Sequence, residues 1–243
     1  VRRTPRKGGQ MLTVSDVDAS YGAARILHSV SISVAAGESV VILGPNGHGK
    51  TTLLRVISGL VRPSAGRVEF DGRELTGLRP EEVVAAGIVQ IPQGDLVFPL
   101  MTVKENLLMG AYRTSAWRQR KDNLERVYAI FPRLRERERQ LARSLSGGER
   151  RMLAIGRGLM SDVRLLIVDE PSLGLAPQVI EDVYNAIRRI TEDGLSLLLV
   201  DESANHIDGL ADRVYLMQTG EIGYEGNAAE LLRDDALLST YLG

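Results

Sequence analysis

Apolar residues along this chain gather in short runs separated by glycine, serine and charged positions, and the period of those runs changes from region to region. Residues 11–17 and 29–34 alternate apolar with polar side chains, the period-two pattern of half-buried strands, so antiparallel pairing is predicted at the start, with a turn at Gly37. Ser39–Leu43 is apolar enough for a strand buried on both faces. It runs into a glycine-rich stretch, 44–49, and then into 51–57, which has helical character. A strand at 68–70 turns at Asp71-Gly72, a helix over Pro80–Ala86 starts on proline and stops at Gly87, and Ile88–Ile91 reads as another buried strand. Between 103 and 160 the spacing becomes helical, charges are frequent and β-branched runs stop. This predicts an inserted helical lobe near 96–160. Strand 165–168, helix 179–191, strand 197–200 and helix 204–210 follow, then a hairpin from 214–217 turning at Thr219-Gly220 and a helical end. Strands alternating with helices imply a mostly parallel sheet with helices packed on it.

Composition narrows the class. The chain has 243 residues, 44 % hydrophobic and 25 % charged, which suits a folded domain with its own core. It has no cysteine, so disulfides, thiolate nucleophiles and cysteine-held metals are excluded. A net charge of -1 argues against a nucleic-acid partner, and the arginine-rich stretch 133–139 is interleaved with Glu136 and Glu138, as on a solvated face. No apolar run reaches the roughly 18 residues that span a bilayer. Any membrane partner is therefore expected to be a separate chain. Residues 1–10 carry Arg2, Arg3, Arg6 and Lys7 with no acid and are read as a flexible basic tail ahead of one domain over 11–243; attraction to anionic lipid and a plain solvated start are both open for it.

The chemistry is concentrated in three places. Gly44-Pro45-Asn46-Gly47-His48-Gly49-Lys50-Thr51, followed by Thr52, fits the G-x-x-x-x-G-K-[ST] phosphate loop and sits between a predicted strand and a predicted helix. Its glycines let the backbone wrap a phosphate chain, Lys50 reaches the β and γ phosphates of ATP, and the Thr51 hydroxyl can ligate Mg²⁺. The strand 165–168 ends in Asp169 and Glu170. Asp169 is the expected second Mg²⁺ carboxylate, and Glu170 is placed to take a proton from the water attacking the γ phosphate. Leu145-Ser146-Gly147-Gly148-Glu149 opens a further helix, and Ser146 with the glycine amides makes a second anion-binding helix start. One nucleotide needs only one such cradle. Two chains facing head to tail, each closing the other's ATP, account for both.

Together these motifs resemble the ATP-binding cassette family, whose LSGGQ/E signature Leu145 to Glu149 is similar to. The resemblance implies an α/β P-loop NTPase core with a parallel sheet, an N-terminal antiparallel β subdomain and an inserted helical subdomain. It implies Tyr21 as the aromatic stacked on adenine, with core packing as the other reading of that ring, and Gln93 as a Mg²⁺-touching catalytic glutamine that senses the transporter. The phrases Met101-Thr102-Val103-Lys104-Glu105-Asn106-Leu107, Phe131-Pro132-Arg133-Leu134, Glu170-Pro171-Ser172-Leu173-Gly174-Leu175-Ala176-Pro177 and Tyr241-Leu242-Gly243 resemble the LivF-type ATPase subunits of branched-chain amino acid importers. That implies a peripheral protein on the cytoplasmic face of the membrane, with transmembrane permease subunits, a second cassette ATPase and a solute-binding protein as partners. Importers of urea and short amides, and cassettes that work without a permease, are the alternatives.

Two positions depart from the general cassette pattern. Ala176 stands before Pro177 where most of the family has Asp or Asn, a departure that LivF-type subunits commonly share, and the second departure is more serious. Aligning on Ala211-Asp212-Arg213 puts Glu202 where the family's switch histidine meets the γ phosphate, and a carboxylate there repels phosphate. Slow hydrolysis by the chain alone and a heterodimeric partner are expected from it. The three histidines, His28, His48 and His206, form no metal cluster by spacing, and His48 is read as a solvent-facing loop side chain.

Overall fold

The computed structural model describes residues 9–94 and 96–242. The strands are β1 (Gln10–Tyr21), β2 (Ala24–Ala35), β3 (Ser39–Leu43), β4 (Ala65–Phe70), β5 (Arg73–Glu74), β6 (Ile88–Ile91), β7 (Leu165–Asp169), β8 (Ser196–Asp201), β9 (Arg213–Gln218) and β10 (Glu221–Asn227). The helices are α1 (Lys50–Ile57), α2 (Pro80–Ala86), α3 (Val103–Gly110), α4 (Thr114–Arg118), α5 (Arg120–Ile130), α6 (Pro132–Glu136), α7 (Gly147–Leu159), α8 (Pro177–Glu192), α9 (Ala228–Leu231) and α10 (Asp235–Leu242). Of the basic tail 1–10, residues 1–8 lie outside the described residues, and Gln10 already pairs with Ala35 in the first hairpin.

Two sheets form. The first is antiparallel, in the order β2-β1-β4-β5; the second runs β10-β9-β3-β8-β7-β6 and is parallel except for the β9–β10 hairpin. The α/β fold with antiparallel strands leading is thus as the apolar pattern predicted. The early strands are longer than their alternation suggested, because bulges with Asp16 and Ser29 at positive φ absorb the breaks in period without ending the ladder.

The parallel sheet is a two-faced wall. Alternation along β3, β7 and β8 sends Val41, Leu43, Leu166, Val168, Leu197 and Leu199 toward helices α3, α5, α7 and α8, and Val40, Ile42, Leu165, Ile167, Leu198 and Val200 toward α1 and the antiparallel sheet. All of these side chains are fully buried, each contributing about 2 kcal/mol of hydrophobic free energy. The result fixes the carboxyl ends of β3, β7 and β8 side by side, with Leu43 opposite Asp201 and Asp169 opposite Val200.

One predicted element is absent. Residues 204–210 form turns and not a helix. Arg188 on α8 donates to the carbonyls of His206 and Asp208, which an intrahelical ladder would have used, and Gly209 adopts φ 67°.

Candidate functional site

The phosphate loop leaves the end of β3 and enters α1 through Gly49, whose φ of 101° is one a side chain rarely tolerates. A Cβ there would press on Leu27 and Met217, so glycine is required by both torsion and space. Lys50 follows. Its ammonium donates to the carbonyls of Gly44 (2.7 Å) and Pro45 (3.0 Å), which folds the side chain back over its own loop, and it lies 3.6 Å from Glu170 Oε1. Thr51 donates through its hydroxyl to Asp169 Oδ1 at 3.2 Å, and Thr52 is buried beneath the loop. Pro45 is half-buried, and Asn46 and Gly47 are exposed at the loop's crest.

Asp169 and Glu170 reach this loop because β7 lies two strands from β3 in the parallel sheet. The Glu170 backbone turns into the left-handed region, φ 46°, while its N–H donates to Val200 at 2.9 Å. A non-glycine residue held in that region is costly, by about 1 kcal/mol or more, and here it aims the carboxylate back at Lys50. Glu170 Oε2 accepts from the Gln93 side-chain amide at 2.9 Å. Burial pushes the Glu170 carboxyl above the usual range; Lys50 opposes this, while Asp169, Glu202 and Asp201 add to it. Asp169 is likewise pushed up by burial against the pull of Thr51 and Lys50. Its second oxygen, Oδ2, is buried with no hydrogen-bond partner. That orphaned oxygen, beside the Thr51 hydroxyl, suits a hard divalent cation completed by phosphate oxygens and water.

Lys50, Thr51, Asp169, Glu170 and Gln93 are therefore brought together. Glu202, just past β8, is half-buried and bears on Glu170 through its charge. Ser146, Gly147, Gly148 and Glu149 instead open α7. There Ser146 Oγ accepts from the Glu149 N–H (3.3 Å), Glu149 Oε2 accepts from the Ser146 N–H (2.8 Å), and Glu149 pairs with Arg137 at 2.7 Å. The reciprocal cap fixes the start of the helix and leaves Ser146 exposed. Tyr21 closes β1 with 44 % of its surface exposed, its hydroxyl accepting from Arg55 at 3.2 Å, so the ring is not core packing.

His48 differs from the expectation of a solvent-facing side chain. It is half-buried, its Nδ1 accepts the Thr219 N–H at 3.0 Å, and its carbonyl accepts the Gly220 N–H at 3.0 Å. The β9–β10 turn thus braces the phosphate loop. Sequence reasoning also missed Tyr184 and Asp201, buried beside the site and joined by a hydrogen bond from the phenol. The spacing of Glu181, Tyr184 and Arg188 marks one helix face, but not what that face holds.

Fold and site together define a P-loop nucleoside-triphosphatase carrying a helical segment between β6 and β7. A family model described as ABC transporter matches residues 27–173, and the chain belongs to that family. It is 40 % identical over 237 residues to the high-affinity branched-chain amino acid transport ATP-binding protein BraG of Pseudomonas aeruginosa, covering 96 % of this chain and 100 % of that one. The probable branched-chain amino acid transport ATP-binding protein LivF of Archaeoglobus fulgidus is 34 % identical, with 96 % and 99 % covered. A crystal structure of the ADP conformation of an ATP-binding cassette of an ABC transporter superposes with a TM-score of 0.82 at 30 % identity, covering 96 % of this chain and 99 % of that one. The chain is an ATP-binding ATPase.

Proposed function

We propose that this chain is the ATPase subunit of a membrane importer for branched-chain amino acids. The observation that carries this is the full-length similarity to BraG, whose name states that transport, joined to the convergence of Lys50, Glu170 and Gln93 in one site. The LivF relative bears the same transport name, which favours this substrate class over urea and short amides and over a permease-free role.

In this reading the loop Gly44 to Thr52 cradles the phosphates of ATP, and Lys50 leaves the Gly44 and Pro45 carbonyls to meet the β and γ oxygens. Tyr21 stacks on adenine. Thr51 and Asp169 would hold Mg²⁺, which when bound supplies charge neutralisation at the β and γ phosphates. Glu170 accepts the proton of the attacking water; its raised pKa makes it a stronger base than an ordinary carboxylate. Gln93, bonded to Glu170, ties that base to the loop after β6. Ser146, Gly147, Gly148 and Glu149 of a second cassette subunit close over the γ phosphate, so ATP binding drives dimer closure and hydrolysis reopens it. Glu202 beside Glu170 favours a heterodimer in which the partner supplies a complete site.

Closure has to reach permease subunits, since among the described residues no helix is long and apolar enough to cross a membrane. An open groove of about 240 Å³ beside the loop after Gln93, lined by Leu96, Phe98, Met109 and Tyr112, suits an apolar-faced permease segment. All four of these side chains are exposed. The protein would thus sit on the cytoplasmic face, with a solute-binding protein feeding the permease from the other side. Co-expression with the permease pair and the second cassette, followed by ATPase assays in liposomes with loaded binding protein, tests the reading. Stimulation by leucine, isoleucine or valine is expected. Stimulation by urea or acetamide alone, or no association with the permease, overturns it.

A further inference from the structure

One face of α8 grips the segment that follows β8. Glu181, Tyr184 and Arg188 lie at helical spacing, and each holds a different part of residues 201–208. Glu181 pairs with His206 Nδ1 at 3.2 Å, and the His206 ring packs on the Tyr184 ring with centroids 4.8 Å apart. Arg188 donates to the carbonyls of His206 (3.1 Å) and Asp208 (3.3 Å). Tyr184 is wholly buried and donates its phenolic proton to Asp201 Oδ2. The other oxygen of that carboxylate, Oδ1, accepts the backbone N–H of Glu202 at 2.7 Å. The Val200 carbonyl, one residue before Asp201, accepts the backbone N–H of Glu170 at 2.9 Å.

The end of β8 is therefore tied to Glu170 through the Val200 carbonyl and to Tyr184 through Asp201. Glu202 follows directly and bears on the Glu170 carboxylate through its charge. We propose that Tyr184 is a positioning residue for ATP hydrolysis, holding Glu202 through Asp201 at the strand end that also ties the Glu170 backbone. The phenol touches neither nucleotide nor water. Its action runs through a carboxylate only 4 % exposed, which without the phenol loses a buried donor and its fixed orientation. The hold on the Glu202 N–H loosens with it, and Glu202 loses its fixed relation to Glu170. Errors of this kind act on the chemical step more than on ATP binding, because the phosphate loop and Tyr21 lie outside the linkage.

The proposal rests on Glu170 as the base, so Glu170→Gln is assayed beside Tyr184→Phe, Asp201→Asn and the double variant Tyr184→Phe/Asp201→Asn in the full chain. Turnover, KM for ATP and displacement of a fluorescent nucleotide are measured for each. Tyr184→Phe is expected to lower kcat about fivefold or more with KM and nucleotide affinity changed less than about twofold. The double variant is expected to be no slower than Asp201→Asn, since both changes cut one linkage. Asp201→Asn, which keeps the shape of the side chain, is expected to lower kcat in the same direction and serves where Tyr184→Phe does not fold. Wild-type kcat in folded Tyr184→Phe, or in Asp201→Asn where the phenylalanine variant does not fold, overturns the proposal, as does additive loss in the double variant. Equal turnover in Glu170→Gln and wild type overturns the assignment of the base and this proposal with it. Abolished turnover in Glu170→Gln beside unchanged turnover in Tyr184→Phe overturns this proposal alone.

Discussion

The ammonium of Lys50 lies 3.6 Å from Glu170 Oε1, with the two side chains 3 % and 5 % exposed. In this buried place each charge faces the other, while Lys50 also donates to two loop carbonyls and Glu170 accepts from Gln93. A pair of this kind adds little net stability, but removing one member leaves a buried charge alone. Lys50 is thereby held over the loop before nucleotide arrives. In the proposed mechanism triphosphate takes the lysine, and Glu170, without its cation, becomes a stronger base.

Lys50→Met is expected to weaken ATP binding at least tenfold, because in the proposed function the ammonium meets the β and γ phosphates in the bound state as well as in the transition state. The same change is expected to destabilise the nucleotide-free chain by about 3 kcal/mol, as Glu170 stays buried without its partner. Titration calorimetry with ATP and urea unfolding check the two effects separately. An unchanged dissociation constant would remove the phosphate-loop assignment.

Glu170→Gln keeps the shape of the side chain and removes the proposed base. Turnover is expected to fall by about 10²-fold or more while ATP still binds. With hydrolysis blocked, Mg·ATP is expected to hold the dimer, and size-exclusion chromatography reads this directly. A variant that stays monomeric with saturating Mg·ATP contradicts the head-to-tail closure built on Ser146 to Glu149.

The pH dependence of turnover follows from the raised Glu170 pKa. A base protonated at higher pH than an ordinary glutamate moves the acid limb of the kcat profile upward. Glu202 contributes to that rise by like charge, so Glu202→Gln removes a cause of it, and the acid limb is expected to shift to lower pH. Glu202→His, which offers the γ phosphate a donor in place of a repelling carboxylate, is expected to raise the rate of the isolated chain. Steady-state rates from pH 5 to 9 on the three proteins decide this, and an unmoved acid limb in Glu202→Gln would mean that Glu202 does not face the base.

His48 braces the phosphate loop through the Thr219 N–H. His48→Ala removes that bond and is expected to cost about 1 kcal/mol of stability. The loop also loses its tie to the β9–β10 turn, so KM for ATP is expected to rise severalfold. Thermal unfolding with and without ATP measures both; a variant with wild-type KM would show that the backbone contact from Gly220 suffices.

The alternating runs of this sequence and the pair of motifs ending β3 and β7 determine by themselves that the chain is an α/β nucleotide-binding protein. Such patterns are local: period-two apolarity, a glycine-rich turn ahead of a lysine, and acids at a strand end carry their meaning within a few residues. Glu170 and Lys50 stand out as candidates for that reason, and the fold sets them 3.6 Å apart. The linkages among distant segments were not readable that way. Whether Tyr184 meets Asp201, whether His48 meets Thr219, and whether 204–210 coils into a helix all depend on the strand order that sets β8 between β3 and β7. The last case shows the cause most plainly. Helix propensity in 204–210 is worth a few tenths of a kcal/mol per residue, while Arg188, presented by a helix packed on the same sheet, takes two of the carbonyls that the local helix needs.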